Sequence, residues 1–228
     1  MSNNYCDTVF VDESNTVAWD LIQKVLRQPD RYGLVYLWGT SGIGKTHMVR
    51  YLEHEMRGTY PDMDVLYITA EQMKEQFLQA VVNDKDSFME QYKHDLLIVD
   101  DLQCVVKQEA NQRGFEKLFD MLYVQGKQVV IVSNRPPRAF ATLNKHLRRH
   151  LKAARIREPG PEVRHAIVER ECRRLGVELA EDVRRYLVGQ ATNPCKILSL
   201  VHRVGACHEL EKLPIDVDRV HAYIKDLL

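Results

Sequence analysis

The residues best suited to chemistry lie in one octapeptide, Gly39-Thr40-Ser41-Gly42-Ile43-Gly44-Lys45-Thr46, which fits the pattern G-x-x-x-x-G-K-[ST]. The glycines let such a loop curl until its backbone N–H groups face an anion, and the helix that follows adds the positive end of its dipole. Lys45 is then placed to reach the β- and γ-phosphates of a nucleotide, and Thr46 to ligate Mg²⁺. His47, next in the chain, falls on the helix surface or packs on the nucleotide loop. A second feature is the apolar run Leu96-Leu97-Ile98-Val99, which ends in the carboxylates Asp100-Asp101. Asp100 is expected to organise Mg²⁺ and its water shell, and Asp101 to polarise an attacking water. Together the two features predict a site for ATP and Mg²⁺.

These groups need a scaffold of alternating strands and helices. Leu34–Trp38 is a short apolar run ending in glycine and reads as a buried strand. Val65–Ile68, Leu96–Val99 and Gln128–Val132 supply three more. Ser14-Asn15-Thr16 can cap a helix over Val17–Leu26, closed by Pro29-Asp30. Lys45–Met56 and Phe115–Tyr123 carry helical apolar stripes. Alternation of this kind predicts an α/β fold, a parallel sheet covered on both faces. After Pro136-Pro137 the strand signal fades and helical patterns follow over Pro161–Leu175, Ala180–Gln190, Asn193–Cys207 and Asp216–Leu228. Glu158-Pro159-Gly160-Pro161 breaks helix and marks a boundary: residues 1–159 form the nucleotide-binding domain and 160–228 a small all-α domain.

Composition excludes several classes. With 228 residues, 45% hydrophobic and 28% charged, the chain is neither collagen-like, coiled-coil nor wholly disordered. No apolar run approaches the length of a membrane span, and Met1–Asp7 lacks the apolar stretch of a secretory signal. Five scattered cysteines without C-x-x-C spacing fit a reduced, cytoplasmic protein and no structural metal site. The formal net charge of zero hides an asymmetry: residues 135–174 carry 12 basic and 4 acidic side chains, residues 1–134 carry 13 and 20. A basic segment of this kind suits an acidic partner, nucleic acid or the phosphates of a nucleotide.

Beyond the phosphate loop, three stretches carry a family resemblance: Asp95–Gln103 (DLLIVDDLQ), Gly126–Pro137 (GKQVVIVSNRPP) and Glu158–Val168 (EPGPEVRHAIV). In this order they resemble the AAA+ module of the DnaA-like clade, from about Phe10 to the C-terminus. The resemblance implies an AAA+ sheet followed by a helical lid, with ATP and Mg²⁺ between them. Nucleotide occupancy would set self-assembly or partner contacts, in replication initiation or helicase loading. The partners implied are a replication initiator, a replicative helicase or a helicase loader. Alternatives are a regulator of the initiator like Hda, or a nucleotide-dependent scaffold with little ATP turnover.

Carried over residue by residue, the resemblance makes Asn134 the sensor 1 residue, where the family usually has Asp. The box that supplies an arginine finger matches Leu147-Arg148-Arg149-His150-Leu151. The finger position falls on His150, with Arg149 the nearest guanidinium. Lys196, in Asn193-Pro194-Cys195-Lys196, stands at sensor 2 where the family has Arg. These departures imply a weak ATPase. Ala70–Tyr92 matches the extra helical pair that engages single-stranded DNA in initiators and loaders, with Gln76, Phe77 and Leu78 on the first helix and Phe88 and Tyr92 on the second. The strand-proximal loop Lys107-Gln108-Glu109-Ala110 offers a single positive charge, so the expected DNA track is thin. Set against the resemblance, the expectation is a module without a helix-turn-helix domain after the lid or a helicase-binding domain before it, and Met1–Val9 shows no clear clamp-binding peptide.

Overall fold

A computed structural model describes residues 8–83, 91–105, 109–139 and 145–227. Five strands, β1 (Leu34–Trp38), β2 (Val65–Thr69), β3 (Leu96–Asp100), β4 (Gln128–Ser133) and β5 (Lys152–Arg155), form one sheet in the order β2-β3-β4-β1-β5. Every pairing is parallel, with Tyr36 opposite Ile131, Leu97 opposite Val129 and Thr69 opposite Asp100. The three central strands are buried almost residue for residue, as a sheet covered on both faces requires. Their alternate members divide the core. Leu34, Tyr36, Leu97, Val99, Val129 and Ile131 cluster with Phe115, Leu118, Phe119 and Leu122 of helix α4 (Glu109–Val124). On α2 (Lys45–Thr59), which packs against β2, β3 and β4, Met48, Val49, Leu52 and Met56 make a buried stripe at helical spacing.

Helix α1 (Thr16–Arg27) precedes β1, α3 (Ala70–Asn83) follows β2, and the short α5 (Lys145–His150) leads into β5. This fifth strand is absent from the sequence reading. Its four residues, Lys-Ala-Ala-Arg, have no β-branched side chain, and only Ala154 is buried. Its position at the sheet edge explains the composition: charged residues there discourage pairing with another chain. The expected second helix of the 70–92 segment lies outside the described residues, as do the side chains of Phe77, Leu78 and Phe88 and, of the expected Lys107–Ala110 loop, Lys107 and Gln108; Glu109 and Ala110 instead open α4. Tyr92 is described. It is buried in a turn, and its hydroxyl donates to Gln76.

The chain divides into two compact units. One comprises Thr16–Ser41 and Lys45–Ile156 with the described residues before Phe10. The other comprises Phe10–Asn15, Gly42–Gly44 and Arg157–Leu228. The second is built on α6 (Pro161–Leu175), α7 (Glu181–Gln190), α8 (Pro194–Glu211) and α9 (Val217–Ile224), around Val168, Val183, Leu187, Leu200, Val204 and Ile224. Its helix ends carry strong local signals. Pro161 and Pro194 occupy first turns, Asn193 caps α8 through its side chain, and Asp216 does the same for α9. Asp12 ties the early segment in: its carboxylate accepts from the Gly160 N–H at 2.7 Å, and the Ser14 carbonyl accepts from Arg157.

Candidate functional site

The glycine-rich loop Gly39–Gly44 leaves the C-terminal end of β1, which lies between β4 and β5 in the sheet, and α2 opens directly after it. In open parallel sheets this edge is where ligands collect. Gly39 donates to the Ser133 carbonyl at 3.2 Å and so anchors the loop to β4. Gly42 and Gly44 have φ of 78° and 96°, in the left-handed region that side chains resist. Ile43 is buried, whereas Thr40 and Ser41 are exposed. Lys45 is buried at the mouth of α2 and donates to the Thr40 carbonyl at 2.8 Å. Burial pulls its pKa down, and the charges of Asp101 and Asp100 work against that shift. A buried cation held beside two carboxylates and a carbonyl can be released to a phosphate.

The second half of the site converges on Asp100, which is buried at the end of β3. Its Oδ2 accepts from the Thr46 hydroxyl and from the Tyr67 hydroxyl, each at 2.7 Å, and its Oδ1 accepts from the Asp101 N–H at 2.8 Å. Burial and the neighbouring Asp100 carboxylate push the Tyr67 phenol above its ordinary pKa, so it stays a donor. Asp101 itself is exposed and has φ of 55°, a conformation that Asp tolerates better than most residues. Gln103 Nε2 donates to Asp101 Oδ1 at 2.8 Å, while Gln103 Oε1 accepts from the Asn134 N–H at 2.9 Å and the Ser133 hydroxyl at 3.2 Å. The carboxylate after β3 is thus joined to the polar residue after β4 through one amide side chain.

The structure therefore brings Lys45, Thr46, Asp100, Asp101 and Asn134 into one cluster. Tyr67 and Gln103 belong to it as well. Sequence reasoning gave neither a role, although Gln103 sits within the DDLQ stretch and Tyr67 lies in the middle of β2. Thr46 oxygen beside the Asp100 carboxylate is an all-oxygen donor set suited to a hard cation such as Mg²⁺. The positive-φ loop glycines and the buried lysine suit a phosphate anion.

The remaining candidates lie elsewhere. His47 faces the backbone, with Nε2 2.9 Å from the Thr8 carbonyl oxygen. Arg148 and Arg149 stand exposed on α5, while the His150 ring packs on Tyr123 with centroids 4.9 Å apart. Lys196 is exposed in the first turn of α8, in the helical unit. Gly42–Gly44 belong to that same unit: the Cys195 N–H donates to the Gly42 carbonyl at 3.1 Å and to the Asn193 side chain at 2.9 Å.

Comparison with known proteins places this geometry. The family model of the bacterial DnaA ATPase domain matches residues 1–157. The chain is 31% identical over 235 residues to the chromosomal replication initiator protein DnaA of Corynebacterium jeikeium, covering 100% of this chain and 40% of that protein. It is 28% identical over 229 residues to the DnaA of Clavibacter sepedonicus, covering 97% and 48%. The chain thus spans less than half the length of these relatives. Among solved structures, domain III of Thermotoga maritima DnaA superposes with a TM-score of 0.90 at 24% identity, covering 99% of this chain and 98% of that one. A replication initiator DnaA bound to AMPPCP and single-stranded DNA gives 0.77 at 23% identity, covering 93% and 66%. Both likenesses establish the fold.

Proposed function

Because the chain belongs to the bacterial DnaA ATPase-domain family, we propose that it is an AAA+ module that binds ATP with Mg²⁺ and works in replication initiation or helicase loading. The observation that carries this reading is the junction of the two motifs, the Thr46 hydroxyl on the Asp100 carboxylate at the foot of a glycine loop. In this reading the Gly39–Gly44 backbone and Lys45 hold the phosphates, while Thr46 and Asp100 hold the metal. Asp101 orients the attacking water and Asn134 senses the terminal phosphate. Bound Mg²⁺ supplies charge neutralisation on the phosphates. The domain limits follow the same reading, with residues 1–159 as the nucleotide module and 160–228 as the lid.

Nucleotide then acts as a switch for contacts with copies of this chain or with an initiator, a helicase or a loader in the cytoplasm. The DnaA bound to AMPPCP and single-stranded DNA supports adding single-stranded DNA to the ligands. Hydrolysis is slow in this reading, because Arg149 must serve as finger and Lys196 as sensor 2. The packing of His150 on Tyr123 favours a second reading, a scaffold or Hda-like regulator in which ATP is bound and seldom turned over. Lys45→Ala tests the common premise. The wild-type chain should gain several degrees in melting temperature with millimolar ATP and Mg²⁺, and the variant none. A wild type without that gain removes the premise. Turnover measured on assembled protein then separates the two readings.

A further inference from the structure

Thr46 and Arg50 stand four residues apart on α2 and so share one face of the helix. The Arg50 guanidinium lies 3.3 Å above the centre of the Tyr67 ring, and the Tyr67 hydroxyl donates to Asp100 Oδ2, the oxygen that also accepts from Thr46. The contacts close a ring through α2, β2 and β3: Thr46, Arg50, Tyr67, Asp100 and back to Thr46. Glu53 accepts from Arg50 at 2.8 Å and holds the guanidinium in place from the other side. A carboxylate's last torsion is broad, so Asp100 depends on its hydrogen bonds for orientation. Three fix it here, from Thr46, Tyr67 and the Asp101 N–H.

We propose that Tyr67, clamped by Arg50, is the positioning residue that orients Asp100 for the metal ion. This rests on the reading above that Thr46 and Asp100 hold Mg²⁺ with the nucleotide. Tyr67 reaches the carboxylate from β2, the strand beside β3, so it can set the carboxylate plane while leaving the nucleotide side of Asp100 to the cation. Removing its hydroxyl leaves Asp100 Oδ2 with Thr46 alone, whose oxygen must serve the metal as well. Groups that orient metal ligands through hydrogen bonds typically contribute about 10- to 100-fold to metal affinity.

The test is a pair of binding titrations on the full chain with a fluorescent ATP analogue, one in Mg²⁺ and one in EDTA. For the wild type the Mg²⁺ affinity should exceed the EDTA affinity. Tyr67→Phe keeps the ring and the Arg50 stacking, so it should shrink that ratio at least 10-fold while leaving the EDTA affinity and the ligand-free melting temperature essentially unchanged. Should Tyr67→Phe lower the melting temperature, Arg50→Gln loosens the same clamp from the surface and should shrink the ratio in the same sense. A ratio unchanged in both variants overturns the proposal, as does an equal loss in Mg²⁺ and EDTA. A wild type that binds in neither condition overturns the nucleotide reading instead, so the two failures are distinguishable.

Discussion

Replacing Gly42 and Gly44 by alanine, one at a time, separates two costs that a loop glycine can hide. Both residues have positive φ, 78° and 96°, so each substitution carries the backbone cost of a left-handed conformation, about 1–2 kcal/mol. Their surroundings differ. A Cβ on Gly44 meets nothing within 4 Å, whereas one on Gly42 would lie 2.5 Å from Asn193 Oδ1 and 2.9 Å from the Cys195 Cβ. Asn193 is the N-cap of α8, and its oxygen accepts from Cys195 and Lys196. Making room for the methyl means moving that cap, which adds about 1 kcal/mol. Loss of the bond from Cys195 to the Gly42 carbonyl adds about another 1 kcal/mol. Gly42→Ala should therefore cost about 3–4 kcal/mol and Gly44→Ala about half that. Urea unfolding followed by circular dichroism measures both. The double variant Gly42→Ala/Asn193→Ala should be less damaging than the sum of its parts, because the cap is then already gone. Equal costs for the two glycines, or strict additivity in the double variant, would show that the loop and the α8 cap do not share this contact.

Three further outcomes follow from the same contacts. Glu171 is fully buried between α6 and α8. Burial pushes its pKa up, but hydrogen bonds and charge from Arg174 and His202 outweigh it and the net shift is downward. With the folded pKa below the unfolded value of about 4.3, its contribution is complete above that pH and is lost as pH falls through the folded pKa. The melting-temperature gap between wild type and Glu171→Gln should thus close as pH falls through the folded Glu171 pKa; a gap that widens over that range contradicts the assignment. Asp101→Asn should retain nucleotide binding and lose turnover in single-turnover assays with labelled ATP, and unchanged turnover moves the water-orienting role elsewhere. His150→Arg should raise turnover of the assembled protein. No change there, together with collapse in Arg149→Ala, identifies Arg149 as the finger, and brisk hydrolysis by dilute wild-type monomer refutes the expectation of slow turnover.

The local elements were legible because each rests on short-range rules. The apolar runs at Leu34–Trp38, Leu96–Val99 and Gln128–Val132 could only be buried strands, and the stripe Met48, Val49, Leu52 had to face a sheet. Glycine spacing fixed the loop between β1 and α2, since positive φ at Gly42 and Gly44 is cheap only without a side chain. Strand β5 escaped because Lys-Ala-Ala-Arg has no β signature of its own; it is a strand through its pairing with β1, which sequence distance conceals. Tyr67 and Gln103 escaped for a related reason. Nothing in the types or spacing of a tyrosine on β2 or a glutamine three residues past Asp100 announces a partner. Their roles arise only when the parallel register lays Thr69 against Asp100 and Val99 against Ile131, so that the ends of β2, β3 and β4 meet. The sequence by itself marked which residues could bind a phosphate and a cation, because each group lies in a short contiguous motif, one at Gly39–Thr46 and one at Leu96–Asp101. The tertiary structure decided which side chains hold them in place, because orientation comes from neighbours that the chain delivers from distant strands.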